Sequence, residues 1–291
     1  MSHKSGFVNI VGSPNMGKST LMNKLVGEEV SIITSKAQTT RHRIIGIVNQ
    51  PGVQVVLSDT PGVLEPHYAL QQTMMKAVSS ALSDADVILL VTDVYESELN
   101  HAKTLEKLQK TATPVIVLIN KIDLGNQHQM EQRIAHWHHQ LPKAEILPIS
   151  ALNGFNLDIL WTRILQLIPE NPPYYDTDDY TDRPIRFFVS EIIREKILLS
   201  FKQEIPYACE VMVESYEDAP KLAKIRAIIF VERDSQKGIL VGHKGEKIKH
   251  LGIDSRKHIQ KVVGKQVHLE LVVKVDKDWR HDERKLAGYG Y

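Results

Sequence analysis

Apolar and polar residues alternate in blocks along the first 170 residues of the chain. Apolar runs of strand length cover residues 7–11, 53–57, 87–91, 115–119 and 144–149. Segments with helical patterning lie at residues 18–25, 69–82, 101–110, 130–137 and 157–168. Strands that alternate with helices are typical of a doubly wound parallel sheet. The pattern therefore predicts an α/β domain with a mixed, mostly parallel sheet.

The pattern changes in the second part of the chain. Prolines and acidic residues break the alternation at residues 171–184, which predicts a linker between two domains. We assign residues 1–172 to the first domain, 173–184 to the linker and 185–291 to the second domain. The second domain is predicted as helix 187–201, strands 208–215 and 223–231, two short helices, strand 267–273 and a final helix at 279–285. This order predicts an α+β fold, and no internal repeat is visible.

A glycine-rich loop follows the first predicted strand. Residues 12–19 read Gly-Ser-Pro-Asn-Met-Gly-Lys-Ser and fit the phosphate-loop pattern G-x-x-x-x-G-K-[ST]. The glycines let backbone N–H groups turn toward phosphates, and the following helix directs the positive end of its dipole at them. Lys18 is placed to reach the β and γ phosphates, and Ser19 to bind Mg²⁺. The loop predicts a nucleoside triphosphate site.

Three further segments follow strand ends, where open α/β sheets place groups that contact ligands. Asp59, in the sequence Asp-Thr-Pro-Gly, can hold Mg²⁺ through water. Asp123, in Asn-Lys-Ile-Asp, can accept hydrogen bonds from N1–H and the exocyclic amine of guanine, a donor pair that adenine lacks. Backbone N–H groups of residues 150–152 complete the pocket for the base. The nucleotide is therefore predicted to be GTP or GDP.

Together, these segments resemble the G1, G3, G4 and G5 motifs of translation-factor-type P-loop GTPases. Residues 38–41, Gln-Thr-Thr-Arg, resemble switch I of the Era and MnmE branch, which implies that Thr40 coordinates Mg²⁺ only when the γ-phosphate is present. The resemblance implies Mg²⁺ ligation by Ser19, Thr40 and Asp59, and catalytic roles for Lys18, Thr40 and Gly62. The GTP site that it implies consists of Gly12, Ser13, Pro14, Asn15, Met16, Gly17, Lys18, Ser19, Thr20, Asp59, Thr60, Pro61, Gly62, Asn120, Lys121, Asp123, Ser150, Ala151 and Leu152.

The sequence departs from Ras-like GTPases where they orient the attacking water. Val63 stands where those proteins carry a glutamine, and valine has no group for this task. Arg41 and Arg43 lie in switch I and are candidates for an arginine finger. Asn15, together with the Thr-Thr pair of switch I, resembles the potassium-binding arrangement of MnmE-like GTPases, which implies that K⁺ replaces the missing cationic group. An asparagine in a tight turn also needs no ligand to explain it, so both interpretations of Asn15 stay open.

Residues 242–245 in the second domain, Gly-His-Lys-Gly, resemble the GXXG loop of a KH domain. The glycines let a nucleic-acid backbone come close, and unpaired bases fit the adjoining apolar cleft. A predicted core face follows the loop, formed by Ile248, Leu251, Ile259 and Val262. The resemblance implies a type II KH domain that binds single-stranded RNA. Its implied contact residues are Gly242, His243, Lys244, Gly245, Lys247 and Lys249.

Basic residues are concentrated around the Gly-His-Lys-Gly loop. The whole chain has a formal net charge of only +1. Residues 237–265 contain eight lysines and arginines against two acidic residues, a local net charge of +6. A charge run is usually a solvated helix face, but beside a GXXG loop it is the pattern expected for contacts with RNA phosphates.

The composition is that of a two-domain globular protein: 291 residues, 42% hydrophobic and 24% charged. Cys209 is the only cysteine, which excludes an intramolecular disulfide and a cysteine zinc cluster and fits a reducing cytoplasm. The N-terminal segment does not resemble a signal peptide, and no apolar run approaches the roughly 20 residues of a membrane span. We therefore expect a cytoplasmic protein whose membrane association, if any, is peripheral.

A GTPase domain with this switch I, a linker and a C-terminal type II KH domain together resemble the Era family of bacterial ribosome-assembly GTPases over nearly the whole chain. That resemblance implies GTP hydrolysis that times a maturation step of the 30S subunit, binding to 16S rRNA near its 3′ end, and peripheral association with the inner membrane. No DNA partner is expected. An alternative stays open, in which the C-terminal domain binds a protein or membrane partner and its RNA-like charge is incidental.

Overall fold

The protein forms two compact units. The computed structural model describes residues 3–99 and 101–291. The first unit runs up to His67 and from Gln71 to Asp182, and the second comprises Tyr68–Leu70 and the chain from Arg183 onward, so the main division falls inside the predicted linker. Each unit has a sheet and a hydrophobic core of its own.

The first unit is built around a six-stranded sheet. Its strands are β1 (Lys4–Val11), β2 (Ile44–Gln50), β3 (Val53–Asp59), β4 (Val87–Asp93), β5 (Val115–Asn120) and β6 (Glu145–Pro148). Its helices are α1 (Lys18–Val26), α2 (Ala69–Ser83), α3 (Ala102–Lys110), α4 (Gln127–Gln140) and α5 (Leu157–Leu167). The strand order is β2-β3-β1-β4-β5-β6, and β2 pairs antiparallel with β3 while the other pairs are parallel. The predicted α/β fold with a mixed, mostly parallel sheet is confirmed.

The central strands of this sheet are buried on both faces. All seven residues of β4 are buried, and so is β5 apart from its first residue. Such continuous apolar strands need helices on both faces of the sheet to cover them. On one face Leu108 of α3 and Trp137 of α4 belong to the same core as Val117 of β5.

Strand β2 is the element of this sheet that the apolar pattern did not predict. Its sequence is interrupted by Gly46. A side chain at Gly46 would come within 2.6 Å of Met22 and Val26 on α1. The glycine therefore leaves room for the helix. Packing against α1 requires this glycine, and the glycine breaks the apolar run from which the strand would have been predicted.

Parallel strands direct their carboxyl ends to one edge of the sheet, where ligands bind in open α/β folds. The phosphate loop follows β1, the Asp-Thr-Pro-Gly segment follows β3, and the base-reading segments follow β5 and β6. A loop at residues 93–96, which starts from the last residue of β4, lies at the same edge, although no predicted motif includes it. The strand order therefore suffices to bring all the predicted motifs to one edge of the sheet.

Part of the predicted linker is fixed to the first unit. The buried side chain of Gln54 on β3 donates to the carbonyl of Tyr175 (2.8 Å) and accepts from the backbone N–H of Tyr174 (2.7 Å). The backbone N–H of Ile47 on β2 donates to the carbonyl of Tyr180 (3.0 Å). These contacts order the segment along the edge of the sheet, ahead of the second unit.

The second unit packs helices against a three-stranded sheet. Its elements are α6 (Ile185–Ser200), α7 (Ile205–Ala208), β7 (Glu210–Asp218), β8 (Leu222–Val231), α8 (Asp234–Val241), α9 (Glu246–Val263), β9 (Gln266–Val275) and α10 (Glu283–Gly288). Strand β8 is central, antiparallel to β7 and parallel to β9. The order predicted for a type II KH domain is confirmed.

Three details of this unit differ from the sequence predictions. The second of the two helices beside the glycine loop, predicted to be short, is the 18-residue α9. Val262, expected on the core face of α9, is 43% exposed. Val263, four residues after the buried Ile259, packs against the core instead. The final helix begins at Glu283 rather than at residue 279, because Asp282 caps it by accepting from the backbone N–H groups of residues 284 and 285.

Candidate nucleotide and RNA sites

The phosphate loop, residues 12–19, joins β1 to α1 and includes the first two residues of that helix; its conformation needs its glycines. Gly12 has φ +149°, and a side chain there would come 2.1 Å from the carbonyl oxygen of Val91. Gly17 has φ +92° and lies against the Asn120 side chain. Asn15 also has a positive φ of 65°. The loop therefore curls in front of the α1 N-terminus, where free backbone N–H groups favour an anion.

Lys18 is held inside this loop. Its ammonium donates to the carbonyls of Gly12 (3.0 Å) and Ser13 (2.8 Å), and the residue is 6% exposed. Burial lowers the pKa of Lys18 to about 8, and the nearby Asp59 carboxylate acts against that shift. The structure thus places one oriented cation where the loop would receive phosphates.

Ser19, Thr40 and Asp59 meet beside Lys18. The Ser19 hydroxyl donates to Asp59 Oδ2 (2.7 Å) and lies 3.0 Å from the Thr40 hydroxyl, which in turn donates to Asp59 Oδ2 (3.3 Å). Asp59 is fully buried, and its Oδ1 has no hydrogen-bond partner among the described residues. Burial raises the pKa of Asp59, and Lys18 opposes the rise. A buried, unpaired carboxylate oxygen beside two hydroxyls fits the oxygen ligands that Mg²⁺ prefers.

The segment after Asp59 packs against the phosphate loop. The Thr60 hydroxyl donates to the carbonyl of Ile10 (2.7 Å). A side chain at Gly62 would come within 2.7 Å of Pro14, so the two loops touch there. The backbone N–H of Val63 donates to the carbonyl of Gly12 (3.0 Å), while its side chain is buried in the core. Val63 therefore offers no polar side-chain group to a water at this site.

The two arginines of switch I do not present free guanidinium groups. Arg43 donates to both carboxylate oxygens of Asp84 and also to Ser58 and Asn9. Arg41 is only 2% exposed. In this arrangement neither side chain is placed as an arginine finger.

The base loop, residues 120–125, is tied to the neighbouring loops. Asn120 donates to the carbonyl of Met16 (2.8 Å) and accepts from the backbone N–H of Ala151 (2.9 Å). The Ser150 hydroxyl donates to Asp123 Oδ1 (2.6 Å). Asn120 thereby joins the phosphate loop to both segments that were predicted to read the base.

The structure gathers all four predicted motifs at one edge of the sheet, with Thr20 and Pro61 adjoining the residues described above. Leu152 is 68% exposed and lies at the rim of the site. That these residues bind GTP stays a prediction. The sequence motifs do not include Asp93 and Tyr95, which contact the base loop. Asp93 carries the same signal as Asp59, an acidic residue that ends an apolar strand.

The Gly-His-Lys-Gly loop joins α8 to α9 in the second unit. Gly242, Lys244 and Gly245 all have positive φ angles, of 72°, 48° and 81°. A side chain at Gly242 would come within 2.7 Å of Lys247, so the loop has no room for one. The side chains of His243 and Lys244 are exposed at the turn.

Most basic side chains around this loop form no ion pair within the described part of the chain. Of the eight between residues 237 and 265, Lys265 contacts Asp218 (2.7 Å). The other seven form no ion pair with any residue that the structure describes; they are Lys237, Lys244, Lys247, Lys249, Arg256, Lys257 and Lys261. Positive charge that is not neutralised within the protein is what contacts with RNA phosphates require.

Comparison with protein-family models gives two matches. Residues 7–121 match the family described as 50S ribosome-binding GTPase. Residues 204–280 match the KH domain. The two matches fall in the first and the second unit.

Known proteins resemble the chain over its whole length. A GTPase Era from Geotalea daltonii is 41% identical over 289 residues, which cover 99% of this chain and 97% of the relative. Staphylococcus haemolyticus GTPase Era is 41% identical over 99% of this chain and 97% of its own. A chloroplastic ERA-like GTPase of Oryza sativa is 43% identical over all of this chain and 70% of its own.

Two solved structures resemble the fold closely. A crystal structure of Era in complex with MgGDPNP and nucleotides 1506–1542 of 16S ribosomal RNA has a TM-score of 0.95 and 38% identity, and covers 99% of both chains. A variant of Aquifex aeolicus Era bound to GDP and AlF4⁻ has a TM-score of 0.92 and 39% identity, with the same coverage.

Proposed function

The chain belongs to the Era family of GTPases, and on this basis we propose that it hydrolyses GTP and binds small-subunit ribosomal RNA during assembly of the 30S subunit. One observation carries the proposal. The same chain combines a phosphate loop tied to a guanine-type base loop with a glycine loop whose surrounding basic side chains, apart from Lys265, form no ion pair among the described residues.

The ligand of the first unit is GTP or GDP with Mg²⁺. Lys18 and the backbone N–H groups of the phosphate loop hold the phosphates, while Asp123 accepts from the base. Ser19 and Asp59, which contact each other and Thr40, would hold the metal, and Thr40 would join them when the γ-phosphate is present. Bound Mg²⁺ neutralises charge on the phosphate oxygens. Both named Era structures contain a guanine nucleotide or its analogue, which supports this assignment.

Hydrolysis in this site does not use a glutamine. Val63 is buried, and Arg43 is engaged by Asp84. Gly62, packed on Pro14, brings the segment after β3 beside the phosphate loop. A K⁺ ion held by Asn15 would supply the missing positive charge, since a cation near the transferred phosphoryl group stabilises its transition state. Without such help or an activating partner, turnover is slow.

RNA is the partner of the second unit. Gly242 and Gly245 shape the loop, and His243, Lys244, Lys247 and Lys249 face solvent beside it. The RNA in the similar Era complex is a segment of 16S rRNA. We assign to this chain single-stranded 16S rRNA near its 3′ end, within the 30S subunit, and no DNA. A protein partner for this unit is not favoured, because an exposed glycine loop with unpaired cations fits a phosphate backbone.

The location of the protein is proposed as cytoplasmic with peripheral contact to the inner membrane. No helix in the part of the chain that the structure describes is long and apolar enough to span a bilayer. Peripheral contact rests on the family resemblance alone.

RNA binding tests the proposal. A labelled single-stranded RNA with the sequence of the 16S rRNA 3′ end should bind in the presence of a non-hydrolysable GTP analogue and Mg²⁺. Its affinity should fall steeply with salt, with a log–log slope of about −0.7 for each phosphate contacted. A DNA oligonucleotide of the same sequence is the control and should bind more weakly, since it lacks the 2′-hydroxyls. RNA affinity that is absent, or equal for the two, would support the protein-partner alternative.

A further inference from the structure

The loop after β4, residues 93–96, braces the base loop at three points. Asp93 Oδ2 lies 2.9 Å from the ammonium of Lys121. The Tyr95 hydroxyl donates to the carbonyl of Leu124 (2.6 Å). A side chain at Gly125 would come within 2.9 Å of the Val94 side chain, so Val94 packs against the backbone of the base loop there. We call residues 93–96 the brace loop.

Asp93 is itself fixed in one orientation. Its Oδ1 accepts from the backbone N–H groups of Tyr95 (2.9 Å) and Glu96 (3.0 Å), which leaves Oδ2 for Lys121. The residue is 5% exposed. Because both of its oxygens are used and its charge is buried, Asp93 holds Lys121 at a fixed position.

The base loop needs such support, because it has little structure of its own. Its only regular element is a single 3-10 turn at Ile122–Leu124. Lys121, just before the turn, has a φ of +59°, a conformation that costs energy for a residue other than glycine. Short 3-10 turns have poor hydrogen-bond geometry. Contacts from outside the loop therefore decide where Asp123 points.

We propose that Asp93 and Tyr95 are positioning residues for guanine recognition, which act by holding the base loop so that Asp123 meets the base. The proposal rests on the proposed function, namely on guanine-nucleotide binding at this edge of the sheet. Neither residue is assigned a contact with the nucleotide. Their effect passes through Lys121 and Leu124.

Two variants separate the contacts. Asp93→Asn keeps an oxygen to accept from the backbone N–H groups of the brace loop and removes the charge that Lys121 pairs with. Tyr95→Phe removes only the hydroxyl. Arg163→Gln is the matched control, because it breaks an exposed ion pair with Glu145 (2.6 Å) elsewhere in the same unit.

The measurements are the dissociation rate of fluorescent GDP and the preference for GDP over IDP. IDP lacks the exocyclic amine, so the preference reports how well Asp123 is aimed. We expect Asp93→Asn to release GDP about 10-fold faster, since it leaves a half-buried cation unpaired. The GDP/IDP preference should fall about threefold, and Tyr95→Phe should show a smaller change in the same direction. KM for GTP should rise while kcat changes less than twofold, because the phosphate contacts are intact.

Wild-type dissociation and base preference in Asp93→Asn would overturn the proposal. Equal acceleration of GDP and IDP release, with a lower melting temperature, would also overturn it, since that is the result of general loosening. Unchanged behaviour of Arg163→Gln supports it. A wild-type protein that does not prefer GDP to ADP would instead refute guanine binding itself, and the two failures are thereby distinguished.

Discussion

The phosphate loop and the Gly-His-Lys-Gly loop both present lysine, but they hold it in opposite ways. Lys18 is buried and donates to two carbonyls of its own loop. Lys244 is exposed and unpaired within the described chain. A buried charge is stable only with partners at fixed positions, whereas exposed charges attract any phosphate and are screened by salt. The first site is therefore suited to one small ligand of fixed shape, and the second to a long polyanion.

The contrast extends to the groups that give specificity. In the first unit, Asn120 and Ser150 fix the base loop through short hydrogen bonds. In the second, the backbone angles of two glycines shape the loop, and its side chains face solvent. Donors and acceptors at fixed positions discriminate between bases, because a base that does not match leaves polar groups without a hydrogen-bond partner. A glycine loop instead admits a backbone and leaves discrimination to the adjoining cleft.

The largest effect should come from changing the fixed partner of the base. Asp123→Asn replaces an acceptor by an amide, so guanine's amine loses its partner, while the C2 carbonyl of xanthine gains a donor. GTP affinity should fall about 100-fold and the preference should shift toward xanthine nucleotides. Competition with fluorescent GDP measures both. Asp158→Asn, at an exposed acidic residue of α5, is the control, and full GTP affinity in Asp123→Asn would contradict the assignment of the base.

A smaller loss is expected when the exposed loop is altered. Replacing His243 and Lys244 by Asp adds two carboxylates where the RNA backbone approaches and leaves both glycines in place. RNA affinity at physiological salt should fall about 30-fold. Filter binding measures the change, with the fold checked by circular dichroism. GTP hydrolysis without RNA should remain, and any stimulation by RNA should vanish.

The matched control reverses the charge of Lys103, which is exposed on α3 of the first unit. It should leave RNA affinity unchanged. If the double-Asp protein keeps full affinity, the KH interpretation is wrong and a protein partner becomes the better reading.

The smallest of the three effects concerns the cation at Asn15. GTP hydrolysis should be roughly 10-fold faster in KCl than in NaCl, because the proposed site at Asn15 takes K⁺, which would supply the missing positive charge at the phosphate loop. Asn15→Gly should abolish the difference, since glycine adopts the φ of +65° found there without the side-chain oxygen. Phosphate release at equal ionic strength is the measurement. Equal rates in both salts would leave Asn15 as a turn residue only.

The position of the motifs in the fold could be predicted from the sequence, because each motif lies at the end of a predicted strand. Asp59 and Asn120 each end an apolar strand, and parallel strands bring such ends to one edge. Strand β2 could not be recognised, because Gly46 is required by α1, an element distant in sequence from it. The contact of Asp93 with Lys121 spans 28 residues and depends on the geometry of two loops. Local patterns carry no information on such pairings.

The second unit shows the same division. The order of helices and strands followed from periodicity, and so did the glycine loop between α8 and α9. The start of α10 depended on which residue caps it. Asp282 does so, while Trp279 is buried and donates to the carbonyl of Ala208. Local patterns also could not predict that Gln54 orders part of the linker, because proline-rich composition indicates only that helices and strands are interrupted there.

The contact between Gly62 and Pro14 has a genetic consequence. No side chain fits at Gly62, so even alanine would push the segment after β3 away from the phosphate loop. The second unit has a core of its own and would be unaffected by that change. Such an allele would encode a protein that still occupies its RNA but does not complete the nucleotide cycle. If release of the RNA requires a completed cycle, this protein would interfere with the normal protein in the same cell, and its phenotype would be dominant.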